Sequence, residues 1–131
     1  INTIKGNLES KNVCPAINSV IILQSHPEEF IISNRSTNIF LLNKHGQVIK
    51  AFNSGCQGEG SEFIHATISP KGGWLYAITQ SGQLYCLNLT SGKYEHNMKV
   101  HESQVYSVSH HPFQNIIATC SADGHINIWK Q

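Results

Sequence analysis

The acids set the first limit on chemistry in this chain. Asp123 is the single aspartate among the 131 residues. A two-aspartate site is therefore excluded, and any Ser-His-Asp triad would have to be built on Asp123. The glutamates Glu9, Glu28, Glu29, Glu59, Glu62, Glu95 and Glu102 are scattered, nearly all in turns, without the clustered pair a hydrolase needs. Eight histidines invite a metal reading, but none are paired at the i, i+4 spacing that a helical zinc site uses. His110 and His111 are adjacent on an expected strand, so they point to opposite faces. Four cysteines, Cys14, Cys56, Cys86 and Cys120, include no CxxC pair and read as reduced thiols packed as small hydrophobes. The glycine-rich run Gly55 to Gly60 lacks the Lys and Ser or Thr of a phosphate loop, and Glu59 and Glu62 would repel phosphate. It reads as a connector. No metal, cofactor or catalytic residue is expected.

Composition narrows the classes further. The chain is 40% hydrophobic and only 13% charged, against about 25% charged in an average domain. Nine basic and eight acidic residues leave a net charge of +1. That balance excludes the broad basic footprint of a dedicated nucleic-acid binder. The lysines are dispersed without interleaved aromatics, so direct sequence-specific reading of RNA is not expected. No apolar run approaches the ~20 residues of a membrane span, and no leader peptide is expected at the start. The chain begins with Ile1 and reads as a piece of something longer. The triplets Asn34-Arg35-Ser36 and Asn88-Leu89-Thr90 match the glycosylation pattern by chance in a chain expected to stay inside the cell.

The elements that must position any site are short. Apolar segments run over 19–23, 30–32, 39–42, 47–52, 63–68, 74–78, 84–89, 105–108, 116–119 and 126–129, each rich in β-branched or aromatic residues. Turn residues such as Lys71-Gly72-Gly73, Ser81-Gly82 and Ala122-Asp123-Gly124 separate them. Strands starting every 8–12 residues or so predict an all-β fold. Three units superpose on one another. Each opens on two inward positions, Ile17 and Val20, Phe63 and Ala66, Val105 and Val108. A proline follows each, at Pro27, Pro70 and Pro112, and each closes its third strand at Leu42, Leu87 or Trp129. A step of roughly 40–45 residues is that of a four-stranded propeller blade.

The expected division is an outer strand and connector over 1–16 and blades over 17–53, 63–100 and 101–131, the last lacking its outer strand. Three blades are fewer than the 4–8 or so of a closed propeller, so the segment is expected to join a larger ring or to self-associate.

The last unit carries Val105-x-x-Val108, His111-Pro112, Thr119-x-Ser121-x-Asp123-Gly124 and Ile128-Trp129. It resembles the WD40 repeat, with Val100 in place of the glycine before His101 and Lys130 in place of the aspartate after the tryptophan. The resemblance implies a structural tetrad of His101, Thr119, Asp123 and Trp129. In it the indole N–H donates to the Thr119 hydroxyl, the hydroxyl to His101, and the other imidazole nitrogen to the Asp123 carboxylate. A catalytic Thr-His-Asp relay is the rival, disfavoured because the indole occupies the hydroxyl that a nucleophile needs. The first two units keep neither the tryptophan nor the aspartate.

A finer resemblance runs from Ile17 to Lys130. INSVIIL, PEEFIISNRS, EFIHATISPKGGWLYAI, LYCLNLTSGKYEHNMKVHE and HHPFQNIIATCSADG are similar to the C-terminal three blades of Smu-type WD40 splicing factors. This implies a non-catalytic, nuclear scaffold of the spliceosome carrying a seven-bladed propeller. It also implies a RED-type spliceosomal partner, held mainly by an N-terminal region outside this chain. A WD40 adaptor outside splicing, such as a ubiquitin-ligase substrate receptor, is the alternative. On either reading partners meet the rim loops, and Tyr106, Gln104, Asn18, Glu59, Glu62 and Glu102 are the expected contact residues, with exposed aromatics the favoured anchors.

Overall fold

The structure, a computed structural model, describes residues 16–130. Its strands are β1 (Ile17–Ile22), β2 (Glu29–Asn34), β3 (Asn38–Asn43), β4 (Val48–Asn53), β5 (Phe63–Ile68), β6 (Trp74–Thr79), β7 (Gln83–Asn88), β8 (Lys93–Lys99), β9 (Val105–His110), β10 (Ile116–Ser121) and β11 (Ile126–Lys130). They form three antiparallel sheets in simple meander order, β1-β2-β3-β4, β5-β6-β7-β8 and β9-β10-β11. The expected outer strand over 2–8 lies outside the described residues.

Short hairpins build each meander because glycines supply the left-handed backbone that tight turns need. Gly82 at φ 88° and Gly124 at φ 83° close equivalent β6–β7 and β10–β11 turns. Their N–H groups donate to Thr79 O and Ser121 O, both at 3.1 Å. The innermost strand of every sheet carries one extra residue against its neighbour. Pairing jumps from Ile17 to Ser19, from Phe63 to His65, and from Val105 to Ser107. Asn18, Ile64 and Tyr106 are thus equivalent bulge residues, each at the rim where a bulge re-aims a side chain.

The sheets stack face to face through apolar layers. Ile31, Ile39 and Phe52 of the first sheet pack with Phe63, Ala66, Leu75, Ala77, Tyr85 and Leu87 of the second. Tyr76, Ile78, Leu84 and Cys86 on the second sheet's other face pack with Val105, Val108 and Ile117 of the third. The inward pairs Phe63/Ala66 and Val105/Val108 are almost fully buried. Ile17 and Val20, expected to be inward as well, are exposed at 50% and 62%. This corrects the sequence reading: their register matches that of the other pairs, but those pairs are buried by the sheet before them, and among the described residues no sheet precedes the first.

His65 pins the second and third sheets together. Val108 N–H donates to its Nδ1 at 3.4 Å, and the Ser107 hydroxyl lies 3.5 Å from the same atom. Burial holds the His65 pKa below the ordinary imidazole value. A depressed histidine makes the unfolded chain the better proton acceptor, so its contribution to stability is present above about pH 6.5 and lost as the pH falls below it. His65→Asn, whose Oδ1 can take over the acceptor role of Nδ1, is expected to lessen the drop in urea midpoint between about pH 7.5 and about pH 5.5. An identical drop in both proteins would refute this role.

Candidate functional site

One end of the three sheets is meshed by loop-to-loop hydrogen bonds. Ser81 N–H donates to Gly60 O at 3.0 Å, Gln80 N–H to Glu62 O at 3.1 Å, Val100 N–H to Gly82 O at 2.8 Å and Ala122 N–H to Gln104 O at 2.8 Å. The connector over 54–62, the 80–82 turn, the 100–104 loop and the 122–124 turn therefore form one continuous rim. Tyr106, at the bulge of β9 beside it, is 58% exposed. Gln104, Glu59, Glu62 and Glu102 are exposed on the same rim, and Glu102 pairs only loosely with Lys99, at 3.9 Å. The rim therefore carries carboxylates and one large exposed aromatic.

Asn18 does not belong with them. Its Nδ2 donates to Phe63 O at 2.9 Å, and its Oδ1 accepts from the Ser33 hydroxyl at 2.5 Å. The side chain is spent in tying the first sheet to the second, which corrects its placement as a contact residue. The type alone could not reveal this, because the Phe63 carbonyl that it meets lies in another sheet.

Beneath the rim lies the hydroxyl network. Trp129 Nε1–H donates to Thr119 Oγ1 at 3.0 Å, and Thr119 Oγ1 lies 2.8 Å from His101 Nε2. Thr119 and His101 are both buried. Since the indole can only donate, the hydroxyl uses its proton toward His101. The fourth expected link is not made. The Asp123 carboxylate instead accepts from the Ser121 hydroxyl and from His125 N–H at 3.1 Å, and lies 3.0 Å from His125 Nδ1. These bonds, the Ser121 hydroxyl first, hold its pKa well below the usual carboxylate range. The expected four-membered chain thus becomes two units, a buried Trp129–Thr119–His101 relay and an exposed turn clasp around Asp123. The reason is local: Ser121 stands two residues before Asp123 and captures the carboxylate within its own turn.

The relay is not set up for nucleophilic catalysis, because the Thr119 hydroxyl is engaged on both sides. Thr119→Ala should strand the buried imidazole and the half-buried indole and destabilise the chain by about 1–3 kcal/mol, read as a lowered urea midpoint. A midpoint matching the parent within error would remove the relay from the account of stability.

Cys56, Cys86 and Cys120 are free thiols. Cys56 Sγ lies 2.6 Å from the Tyr85 hydroxyl, and burial pushes the Tyr85 pKa up to about 12. Among the described residues no group of three or more His, Cys, Asp or Glu side chains could hold a metal ion. No described helix is long and apolar enough to cross a membrane.

Stacked meanders of three and four strands with a bulged inner strand, together with a Trp–Thr–His relay, define a β-propeller segment of the WD40 type, and the chain carries a WD40 repeat. Residues 92–130 match the family model described as WD domain, G-beta repeat. In particular, the chain is similar to the WD40 repeat-containing protein smu1 of Dictyostelium discoideum. The two are 34% identical over 116 residues, covering 88% of this chain and 21% of that protein. Two solved WD40 structures share the fold. U3-55K superposes with a TM-score of 0.77 at 13% identity, over 94% of this chain and 38% of that one. The RRP9 WD40 repeats superpose with a TM-score of 0.78 at 14% identity, over 94% and 37%. The chain thus spans about a fifth of the curated relative and under two-fifths of either structure.

Proposed function

We propose that this chain is part of a nuclear, non-catalytic scaffold of the pre-mRNA splicing machinery. The observation that carries the reading is the 34% identity to smu1 across 88% of the chain. The partners are spliceosomal proteins, a RED-type protein among them, engaged mainly outside this segment. Within it the acidic rim of Glu59, Glu62, Gln104, Glu102 and Tyr106 is the contact surface, with Tyr106 its anchor. The open faces at Ile17 and Val20 and at Ile126 and Ile128, the last two 70% and 65% exposed, are seats for the rest of a ring or for a second copy. The blade limits remain 17–53, 63–100 and 101–131, with His101, Thr119 and Trp129 as the structural residues of the last.

The test is affinity purification of the longer parent protein from nuclear extract, with and without RNase, read by mass spectrometry. Spliceosomal proteins recovered equally in both arms support a protein-bridging scaffold. Recovery lost with RNase would make RNA the tether. Ubiquitin-ligase subunits in place of splicing proteins would replace the reading with that of an adaptor.

A further inference from the structure

At the end of the sheets opposite the rim, the second and third blades part around a cavity of about 580 Å³, lined in part by Pro70, Lys71, Trp74, His110, Pro112 and Phe113. We propose that this groove binds an extended peptide that places an apolar, proline-type anchor between Trp74 and Phe113, a backbone N–H on His110 and a carboxylate on Lys71.

Phe113 is 90% exposed, yet its loop is held. His111 Nδ1 accepts from both Phe113 N–H and Gln114 N–H at 3.1 Å, and the His111 and Phe113 rings meet edge to face at 6.3 Å. A large apolar ring fixed in water is a standing cost that an occupant would remove. On the other wall Trp74 is half-buried, its N–H held by the Ser69 hydroxyl at 3.2 Å. Paired aromatic walls beside two prolines suit an extended, proline-bearing segment.

His110 specifies what the occupant must offer. Its Nδ1 lies 2.7 Å from His111 O, and a carbonyl only accepts, so in the neutral ring Nδ1 carries the proton. Nε2 is then an acceptor, and it is buried without a partner. The ring is held in place by Tyr76, whose centroid lies 5.4 Å away. A buried acceptor left unmade costs about 1–3 kcal/mol, which a donor from the occupant would recover.

Charge decides which donor. Lys71 is exposed and makes no ion pair among the described residues, and none of the residues lining the groove is acidic. A guanidinium or ammonium would meet only Lys71, so a neutral backbone N–H with an acidic neighbour is complementary. A nucleic-acid strand fits less well, because tracking a phosphate backbone takes a line of cations and the lining supplies one lysine.

The inference stands apart from the splicing reading, since a peptide groove would serve a scaffold in any assembly. It is tested by fluorescence polarisation on the full chain with short, capped, fluorescein-labelled peptides. One carries a proline-leucine anchor flanked by glutamates, one the same anchor flanked by lysines, and a third has the anchor amide N-methylated. An oligouridine of similar length is the fourth probe. The glutamate peptide should bind saturably, and N-methylation should weaken it. Phe113→Ser and Lys71→Glu alter exposed side chains and leave folding intact, and each should weaken binding about tenfold or more. Lys71→Glu should also turn preference toward the lysine peptide. No saturable binding of the glutamate peptide, binding indifferent to both substitutions, or stronger binding of oligouridine through the same residues would overturn the proposal.

Discussion

Gly82→Ala should destabilise the chain by about 2–5 kcal/mol, the sum of two effects that the neighbouring hairpin separates. Gly82 has φ 88°, where a side chain costs roughly 1–2 kcal/mol. A Cβ there would also stand 2.1 Å from the carbonyl oxygen of His101, an overlap that a backbone must move to relieve, at about 1–3 kcal/mol more. That movement would pull on the Val100 N–H to Gly82 O bond and on His101, and so disturb the Thr119 relay. Gly124 is the control. It has φ 83° in the equivalent turn, but a Cβ there meets nothing within 4 Å. Gly124→Ala should therefore show only the conformational cost. Urea unfolding of the two variants side by side reads the difference. Equal losses would mean that the approach of His101 to the hairpin contributes nothing.

The contrast between those two turns also shows what could be read in advance. Ser81-Gly82 and Asp123-Gly124 announce hairpins by composition, and the strands on either side follow from short apolar runs. The blade step followed from the recurrence of Phe63 with Ala66 and Val105 with Val108. The Trp129–Thr119–His101 relay was legible through the resemblance of the last unit to the WD40 repeat. Features that depend on a neighbour distant in sequence were hidden. Nothing in the turn 121–124 says that Ser121 outcompetes His101 for the Asp123 carboxylate, since the outcome rests on distances within the folded turn. Asn18 is committed by the Phe63 carbonyl, 45 positions away, and the exposure of Ile17 and Val20 depends on which sheets are present. The groove between Trp74 and Phe113 exists only once two sheets have stacked, and the orphaned Nε2 of His110 is a property of a tautomer fixed by the His111 carbonyl.

Phe63→Ala should cost about 3–5 kcal/mol, the usual loss for a fully buried aromatic. Phe63 is completely buried in the layer shared by the first and second sheets. Its ring meets Tyr85 edge to face at 5.6 Å and stacks on Tyr94 at 6.2 Å. Tyr94 in turn donates from its hydroxyl to Phe52 O at 2.8 Å, so one ring supports both the apolar layer and the bond that ties β8 to the first sheet. The backbone of Phe63 adds two more ties: its N–H donates to Ser36 O at 2.9 Å, and its carbonyl accepts from Asn18. Truncation leaves those backbone bonds possible but opens a cavity between rings that cannot collapse without breaking the Tyr94 bond. A domain of this size has only about 5–15 kcal/mol in hand, so the variant should unfold well below the parent in urea. Phe63→Leu, which keeps most of the volume, should cost less than about 1.5 kcal/mol, and Phe113→Ala, on a ring open to water, should fall within about 0.5 kcal/mol of the parent. The order Phe63→Ala, Phe63→Leu, Phe113→Ala is the result that the stacked-sheet core requires. A Phe63→Ala midpoint close to that of Phe113→Ala would mean that the first two sheets are not held together by this layer.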